Sequence, residues 1–105
     1  MSQLPRGATI RQLQQYIHEH FRERGFEGNT PVQECLLLLE EVGELAKAIR
    51  KERGFRIDAS SHVGSIQEEL ADIVWVSVAI ANLYEVDLES AFIAKEELNH
   101  QRVWQ

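Results

Sequence analysis

The chain has 105 residues, of which 44% are hydrophobic and 27% charged, as expected for one globular domain that spans residues 1–105. Its formal net charge of −6 argues against a general binder of nucleic acid polymers, which would carry a basic patch. A nucleotide substrate stays open, because metal ions can bridge an acidic protein and an anionic ligand.

Two helices are predicted in the first half of the chain, at 10–24 and 31–53. Each begins at a threonine that is followed three residues later by a glutamine, the spacing of a capping box. Each ends before a glycine, which often follows the last turn of a helix. The residues that set these boundaries are Thr9, Gln12 and Gly25 for the first helix, and Thr30, Pro31, Gln33 and Gly54 for the second.

Two further helices are predicted at 65–84 and 87–102, after a loop at 54–64. Ser65 and Asp87 are suitable N-caps for them. The third helix contains the run IVWVSVAIANL, which is apolar nearly all round and therefore typical of a buried helix. The sequence thus predicts an all-α fold in which the second and third helices are long and central.

A helical wheel divides the second helix into an apolar stripe and an acidic side. The stripe contains Leu38, Val42, Leu45 and Ile49, flanked by Cys35, Leu39 and Ala46. We expect this stripe to face the core, with the single cysteine as a buried thiol rather than a nucleophile. The acidic side carries Glu40, Glu41 and Glu44, but also Leu36 and Leu37, so it is not a simple solvated face.

The third helix carries a second pair of acids, Glu69 and Asp72, on the same side as apolar residues further along. The pair therefore enters or borders a buried interface. Buried carboxylates without a partner are costly, so such groups pair, protonate or coordinate a metal. Basic residues are scarce here, with none between Arg56 and Lys95.

An E-x-x-E motif facing an E-x-x-D motif would surround one cavity with hard oxygen ligands. Such ligands favour magnesium or manganese over zinc. Solvated helix surface is the alternative explanation for the acids. Gly43 lies between the two glutamates of the first motif, and its missing side chain could let a helix or ligand approach, or could be tolerated background.

The carboxylate pairs and their surroundings resemble the MazG-like family of all-α nucleoside triphosphate pyrophosphohydrolases. The matching segments are LLEEVGELAKA (38–48), EELADIVW (68–75), ANLYEVDLESAF (81–92) and KEELNHQR (95–102), in the family's order. The resemblance implies a four-helix bundle that is completed by assembly into a homodimer or homotetramer, with the site where helices of partner subunits meet.

The resemblance also implies a reaction, the hydrolysis of a (d)NTP to the (d)NMP and pyrophosphate, used to remove unwanted nucleotides. Glu40 would orient or deprotonate the attacking water. The magnesium ligands, for which manganese is a possible substitute, would be Glu41, Glu44, Glu69 and Asp72. The phosphate-binding residues would be Lys95, Asn99 and Arg102, which lie near one helix face by their spacing.

Two alternatives stay open from the sequence, and a third is disfavoured. The substrate could instead be a nucleoside diphosphate such as dUDP, dUTP or a modified nucleotide, or the chain could be a non-enzymatic helical interaction module. A ferritin-like di-iron bundle is disfavoured, because Glu97 and His100 form a single E-x-x-H motif where two are needed.

No base-binding residue can be identified from the sequence. The aromatic candidates, which we expect to pack in the core, are Tyr16, Phe21, Phe26, Trp75 and Trp104. The histidines, expected on the surface or in loops, are His18, His20, His62 and His100, and His18 or His20 could touch the substrate.

The N-terminal residues MSQLPRGATI have no apolar segment of signal-peptide length. The longest apolar stretch, 73–83, is shorter than the roughly 20 residues that span a bilayer. We therefore expect a cytoplasmic protein without membrane association.

Overall fold

A computed structural model describes residues 4–60 and 62–102, and these residues form four α-helices and no strand. The helices are α1 (Ile10–Glu23), α2 (Pro31–Glu52), α3 (Ile66–Leu83) and α4 (Leu88–His100). The predicted all-α class is confirmed. The observed bounds differ from the predicted ones by at most two residues, because the prediction included capping residues that lie outside the regular helix.

The predicted capping residues act as the sequence indicates. The Thr30 hydroxyl accepts a hydrogen bond from the Gln33 backbone N–H at 3.2 Å, and the Gln33 side chain accepts one from the Thr30 N–H at 2.7 Å. Thr9 forms the same capping box at the start of α1. After α1 and α2 the chain turns at Gly25 and Gly54, whose φ angles of 82° and 84° lie in the left-handed region that favours glycine.

Helix α3 is the centre of the fold and packs against both α2 and α1. Its residues Val78 and Ala79 form a buried cluster with Ile17 of α1. Partly buried side chains that pack against this cluster are Tyr16, Phe21, Trp75 and Leu88. Core packing is therefore confirmed for three of the predicted aromatic residues, whereas Trp104 lies outside the described residues.

Gln14 of α1 connects α1 to the start of α4. Its amide nitrogen donates to the Asn82 side-chain oxygen at 3.1 Å and to the Val86 carbonyl at 2.8 Å. Its amide oxygen accepts from the Leu88 backbone N–H at 3.0 Å. This network fixes the turn between α3 and α4, and α4 packs against α1.

The burial of α2 differs from the prediction. Cys35 and Leu39, predicted beside the core stripe, are exposed. Within the stripe Val42 and Ile49 are exposed, whereas Leu38 and Leu45 are half-buried. Glu34 and Ala48 are buried. In a single chain, α3 covers only the side of α2 that carries Glu34 and Glu41. A helical wheel shows two partly apolar sides but not which one the neighbouring helix meets, so the predicted buried thiol was wrong.

The prediction was also wrong for His20, which is only 4% exposed rather than on the surface. Its ring stacks on Tyr16 with centroids 4.0 Å apart, and its Nδ1 lies 2.8 Å from the Tyr16 carbonyl oxygen. The i, i+4 spacing on α1 brings the two residues together, so this histidine belongs to the core.

Much apolar surface stays uncovered in the single chain. Helix α4 has no buried residue, and its large apolar side chains Phe92, Ile93 and Leu98 are exposed. The radius of gyration is 16.3 Å, whereas a compact domain of this length has about 13 Å. In the described part of the chain, none of the helices has both the length and the apolar character needed to cross a membrane.

Candidate metal and nucleotide site

Three of the predicted metal ligands meet between α2 and α3. Glu41, Glu69 and Asp72 each place one carboxylate oxygen within 4.8 Å of the others. Glu69 is buried, Glu41 is half-buried and Asp72 is exposed. The three-residue spacing of Glu69 and Asp72 puts both on one face of α3, and α3 packs that face beside Glu41 of α2.

This cluster raises the pKa of the Glu41 carboxyl above its usual value. Burial is the largest cause, followed by the negative charge of Asp72 and a side-chain hydrogen bond with Glu69. Two carboxyl groups share a hydrogen bond only when one of them holds a proton. A divalent cation with oxygen ligands would replace that proton and relieve the repulsion among the three acids.

Glu44 and Glu40 stand beside this cluster. The Glu44 carboxylate pairs with Lys47 at 3.6 Å, and its charge still acts on Glu41. Glu40 precedes Glu41 on α2 and is exposed. Around Gly43, apart from its chain neighbours and the nearby backbone of α2, no described atom lies within 4 Å of the position that a Cβ would occupy, so no described residue of another element uses its missing side chain.

Gly64 makes room for the Glu69 carboxylate. A Cβ on Gly64 would overlap with Oε1 of Glu69, at a separation that real Cβ atoms do not show. Gly64 stands just before the α3 N-cap, Ser65, and the φ of Gly64 does not require glycine. Nothing in the sequence distinguishes this glycine from an ordinary loop residue, because the contact depends on where α3 places Glu69.

A pocket of about 300 Å³ opens beside the acidic cluster. Its walls come from the α1–α2 connection and from α2 and α3. The lining residues include Arg24, Phe26, Glu34, Glu41, Asp72 and Trp75. The pocket therefore joins two of the clustered carboxylates to an aromatic wall.

The aromatic wall is held by contacts among its own members. Trp75 lies 5.5 Å from Phe26 and 6.2 Å from Phe21 between ring centroids, and the Arg24 guanidinium sits 5.3 Å from the centre of the Trp75 ring. Trp75 thus packs against the core on one side and lines the pocket on another. A flat, partly apolar wall beside a candidate cation site suits a ligand that has both a ring and an anionic group.

Glu34 is a pocket residue that the sequence interpretation missed. It is 0% exposed, and its Oε1 accepts a hydrogen bond from the Asn29 side-chain amide at 2.8 Å. Its Oε2 is buried and has no hydrogen-bond partner among the described residues. Glu34 lies in the first turn of α2, where an acid usually stabilises the helix dipole. That common role gives no sign that its side chain also lines a pocket. Its spacing of seven residues from Glu41 was the available signal, because residues two turns apart share a helix face.

The predicted phosphate-binding residues lie on and just after α4. Lys95 is exposed, Asn99 accompanies Arg102 at a separate pocket, and the Asn99 amide donates to Glu96 at 3.2 Å. None of the three lines the pocket beside the acidic cluster, as far as the described residues show. Their role stays a prediction.

Sequence comparison places most of these residues in a known domain. The profile of the MazG nucleotide pyrophosphohydrolase domain matches residues 30–104. The dCTP pyrophosphatase 1 of Mus musculus is 33% identical over 99 residues, which cover 90% of this chain and 58% of that protein. The Bos taurus protein of the same name is 32% identical and is covered over 59% of its length. The chain thus spans less than two thirds of the curated relatives it matches.

Solved structures agree with the sequence comparison. One crystal structure of iMazG from Vibrio DAT 722 superposes with a TM-score of 0.63 at 33% identity, covering 89% of this chain and 99% of the other. A second crystal structure of the same protein gives a TM-score of 0.64 at 32% identity, covering 93% and 100%. The similarity therefore extends over nearly all of both chains.

Proposed function

The chain belongs to the MazG nucleotide pyrophosphohydrolase family, and on that premise we propose that it hydrolyses a (d)NTP to the (d)NMP and pyrophosphate with magnesium. The observation that carries this proposal is the meeting of Glu41, Glu69 and Asp72 within 4.8 Å. It is supported by the pocket beside them, whose aromatic wall suits a nucleobase. Family membership also argues against a purely non-enzymatic interaction module.

Magnesium, with manganese as a possible substitute, fits the donor set at this position. Glu41, Glu69 and Asp72 offer only hard carboxylate oxygens, and in our proposal Glu44 joins them. A bound magnesium ion would neutralise charge that develops on the phosphates and would lower the pKa of a water molecule. Exposed Glu40 lies next to Glu41 in the chain and would orient that water and accept its proton.

Phosphate binding by Lys95, Asn99 and Arg102 is part of the same proposal. A lysine, an amide and an arginine suit phosphate oxygens. Because α4 leans on α1 rather than on the α2–α3 pocket, we place these residues against a nucleotide held by another copy of the chain. The exposed apolar face of α4 supports such an arrangement, since an unpartnered apolar helix face favours association.

Self-association as a homodimer or homotetramer follows from this arrangement. Analytical ultracentrifugation over a range of protein concentrations tests it, with Phe92→Ser and Leu98→Ser as variants of the exposed face. We expect the wild-type chain to sediment as an oligomer and the double variant to shift towards the monomer. A wild-type chain that stays monomeric at all concentrations would contradict this part of the proposal.

We propose a single domain that cleanses the nucleotide pool in the cytoplasm.

The activity is tested by incubating the protein with magnesium and a panel of NTPs and dNTPs, while pyrophosphate is measured. We expect pyrophosphate and a monophosphate from at least one of them, and loss of both products in Glu41→Gln. Chromatography of the products separates the alternative, because a nucleoside diphosphate substrate would yield inorganic phosphate instead. No cleavage of any member of the panel would overturn the proposed reaction.

A further inference from the structure

Glu34 is a buried carboxylate whose second oxygen has no partner in the described chain. Its side chain is fixed on one oxygen by Asn29, at 2.8 Å, and it forms part of the wall of the pocket that holds Glu41 and Asp72. A buried acceptor without a partner is costly, so folded proteins keep such groups where a ligand or water completes the bond. The metal cluster does not use Glu34, whose oxygens are not among those that converge there.

The position of Glu34 matches the length of a nucleotide. Glu34 and Glu41 are seven residues apart on α2, which corresponds to about 10 Å along the helix axis. That distance is of the order of the separation between the α-phosphate of a nucleotide and the outer edge of its base. With the phosphates at the acidic cluster, the base would lie along the pocket towards Glu34, beside the rings of Phe26 and Trp75.

We propose that Glu34 is the specificity-determining residue of this site and selects a nucleotide whose base carries an amino group at C4 of a pyrimidine or C6 of a purine, which means cytosine or adenine and not guanine, whose C6 carries a carbonyl oxygen. The inference rests on the proposed function for the placement of the phosphates. A carboxylate oxygen accepts hydrogen bonds and cannot donate them. The free Glu34 oxygen has no accessible surface in the described chain, so a small shift of the pocket wall would bring it to an amino group that projects from the ring. Uracil and thymine instead project carbonyl oxygens, which would repel the carboxylate.

A second unpartnered group in the same wall supports this selection. The indole nitrogen Nε1 of Trp75 is buried and has no hydrogen-bond partner among the described residues. It is a donor only, and Glu34 is an acceptor. Cytosine and adenine each present a ring nitrogen acceptor beside the amino group, so one base edge offers a partner to both kinds of group. Enzymes that read a base in a pocket combine such edge contacts with stacking on aromatic side chains.

The test compares substrates that differ by an amino or a keto group and by the hydrogen on the neighbouring ring nitrogen, dCTP with dUTP and dATP with dITP. For the pair that the wild-type enzyme cleaves faster, we expect kcat/KM to favour the amino member roughly tenfold or more. In Glu34→Gln the amide oxygen can keep the bond from Asn29 while an amide N–H faces the base, so the preference should disappear or reverse. Glu52→Gln, an exposed acid at the end of the same helix, should keep the wild-type preference.

Two further measurements keep the inference falsifiable. If Glu34→Gln does not fold, Asn29→Ala is the second variant, because it removes the donor that fixes Oε1 of Glu34. We expect Asn29→Ala to fold and to show a smaller preference for the amino-bearing substrate. Binding of dCMP and dUMP to the wild-type protein needs no hydrolysis, so selective dCMP binding without pyrophosphate release would sink the proposed reaction and keep Glu34 as the base reader. Equal rates within both pairs, or an unchanged preference in folded, active Glu34→Gln, would overturn the assignment of Glu34 as the specificity-determining residue.

Discussion

The Glu69 carboxylate occupies the space that a side chain on residue 64 would fill, and Gly64 leaves that space open. Glu69 is the most buried of the three clustered acids, and its carboxylate is the end of a flexible side chain that a Cβ on residue 64 would displace from the cluster. Gly64 would therefore position the proposed metal ligand Glu69 without touching the metal. The relationship links the loop before α3 to the chemistry between α2 and α3.

Gly64→Ala should weaken magnesium binding about 10- to 100-fold, the range found when groups that orient metal ligands are changed. The folded state should lose little stability, because the displaced group is the end of a flexible side chain. Titration calorimetry with magnesium measures the first effect and thermal unfolding the second. Gly28→Ala is the matched control, since a Cβ there meets no described atom within 4 Å. Equal magnesium affinity in both variants would contradict the positioning role.

The pH dependence of stability should report the raised pKa of Glu41. A carboxyl whose pKa is higher in the folded state stabilises the metal-free protein below the unfolded value of about 4.3, and this contribution is lost as the pH rises through the folded value. Asp58 and Asp87 act oppositely and at lower pH, because hydrogen bonds from Ser60 and Ser90 lower their pKa. The Glu41 contribution is therefore distinguishable by its pH window.

Magnesium should reverse this trend, because it binds the deprotonated cluster. We expect the magnesium-induced rise in Tm to be small near pH 4.5 and to grow as the pH passes through the raised pKa of Glu41. Melting curves with and without magnesium between about pH 4.5 and 8 measure both trends. Glu41→Gln should show neither the loss of metal-free stability with rising pH nor the growth of the magnesium effect with pH. A magnesium effect that is constant across this range would argue against Glu41 as a ligand.

The helices were predictable because their signals are local. Thr30 and Gln33 form the capping box that their spacing indicates, and Gly54 adopts the left-handed conformation that ends α2. The three-residue spacing on α3 likewise predicted that Glu69 and Asp72 share a face. These features depend on neighbours within one or two turns, and the sequence contains them directly.

Features that depend on which faces meet were not predictable in this way. The wheel of α2 shows two partly apolar sides and does not show which of them faces α3. The prediction therefore buried Cys35, which is exposed, and overlooked Glu34, which is buried. The contact of Gly64 with Glu69 arises only when the loop folds against α3. In each case the deciding partner comes from another part of the chain, beyond the reach of a periodic pattern.

The link between α1 and α4 can be tested at Gln14. Gln14→Ala leaves the Asn82 oxygen, the Val86 carbonyl and the Leu88 N–H without this partner. We expect the free energy of unfolding to fall by about 1–3 kcal/mol, the usual cost of an unsatisfied, partly buried polar group. Gln15→Ala removes an exposed hydrogen bond to Glu19 and should change the free energy of unfolding by less than about 0.5 kcal/mol. Denaturant unfolding at one fixed protein concentration measures both, and equal effects would contradict the anchoring role.

Asp72→Asn separates a metal ligand from a structural residue, because its two effects should have opposite signs. Asp72 is exposed, and its negative charge is the second largest cause of the raised pKa of Glu41. Removing that charge lowers the repulsion in the cluster, so the metal-free variant should melt no lower than the wild type. Pyrophosphate release should fall at least about 100-fold, since a direct ligand should matter no less than the groups that orient it.

The magnesium-induced shift of the same variant gives the sharper measurement. At a magnesium concentration of 100 times the wild-type Kd, binding stabilises the folded protein by about 2.7 kcal/mol, or roughly 10 °C or more in Tm for a domain of this size. If Asp72→Asn weakens the Kd 100-fold, the same concentration gives only about 0.4 kcal/mol. Glu52→Gln, which removes an exposed charge remote from the pocket lining, should keep the full shift. A full shift in Asp72→Asn as well would show that Asp72 is not a ligand of the magnesium ion.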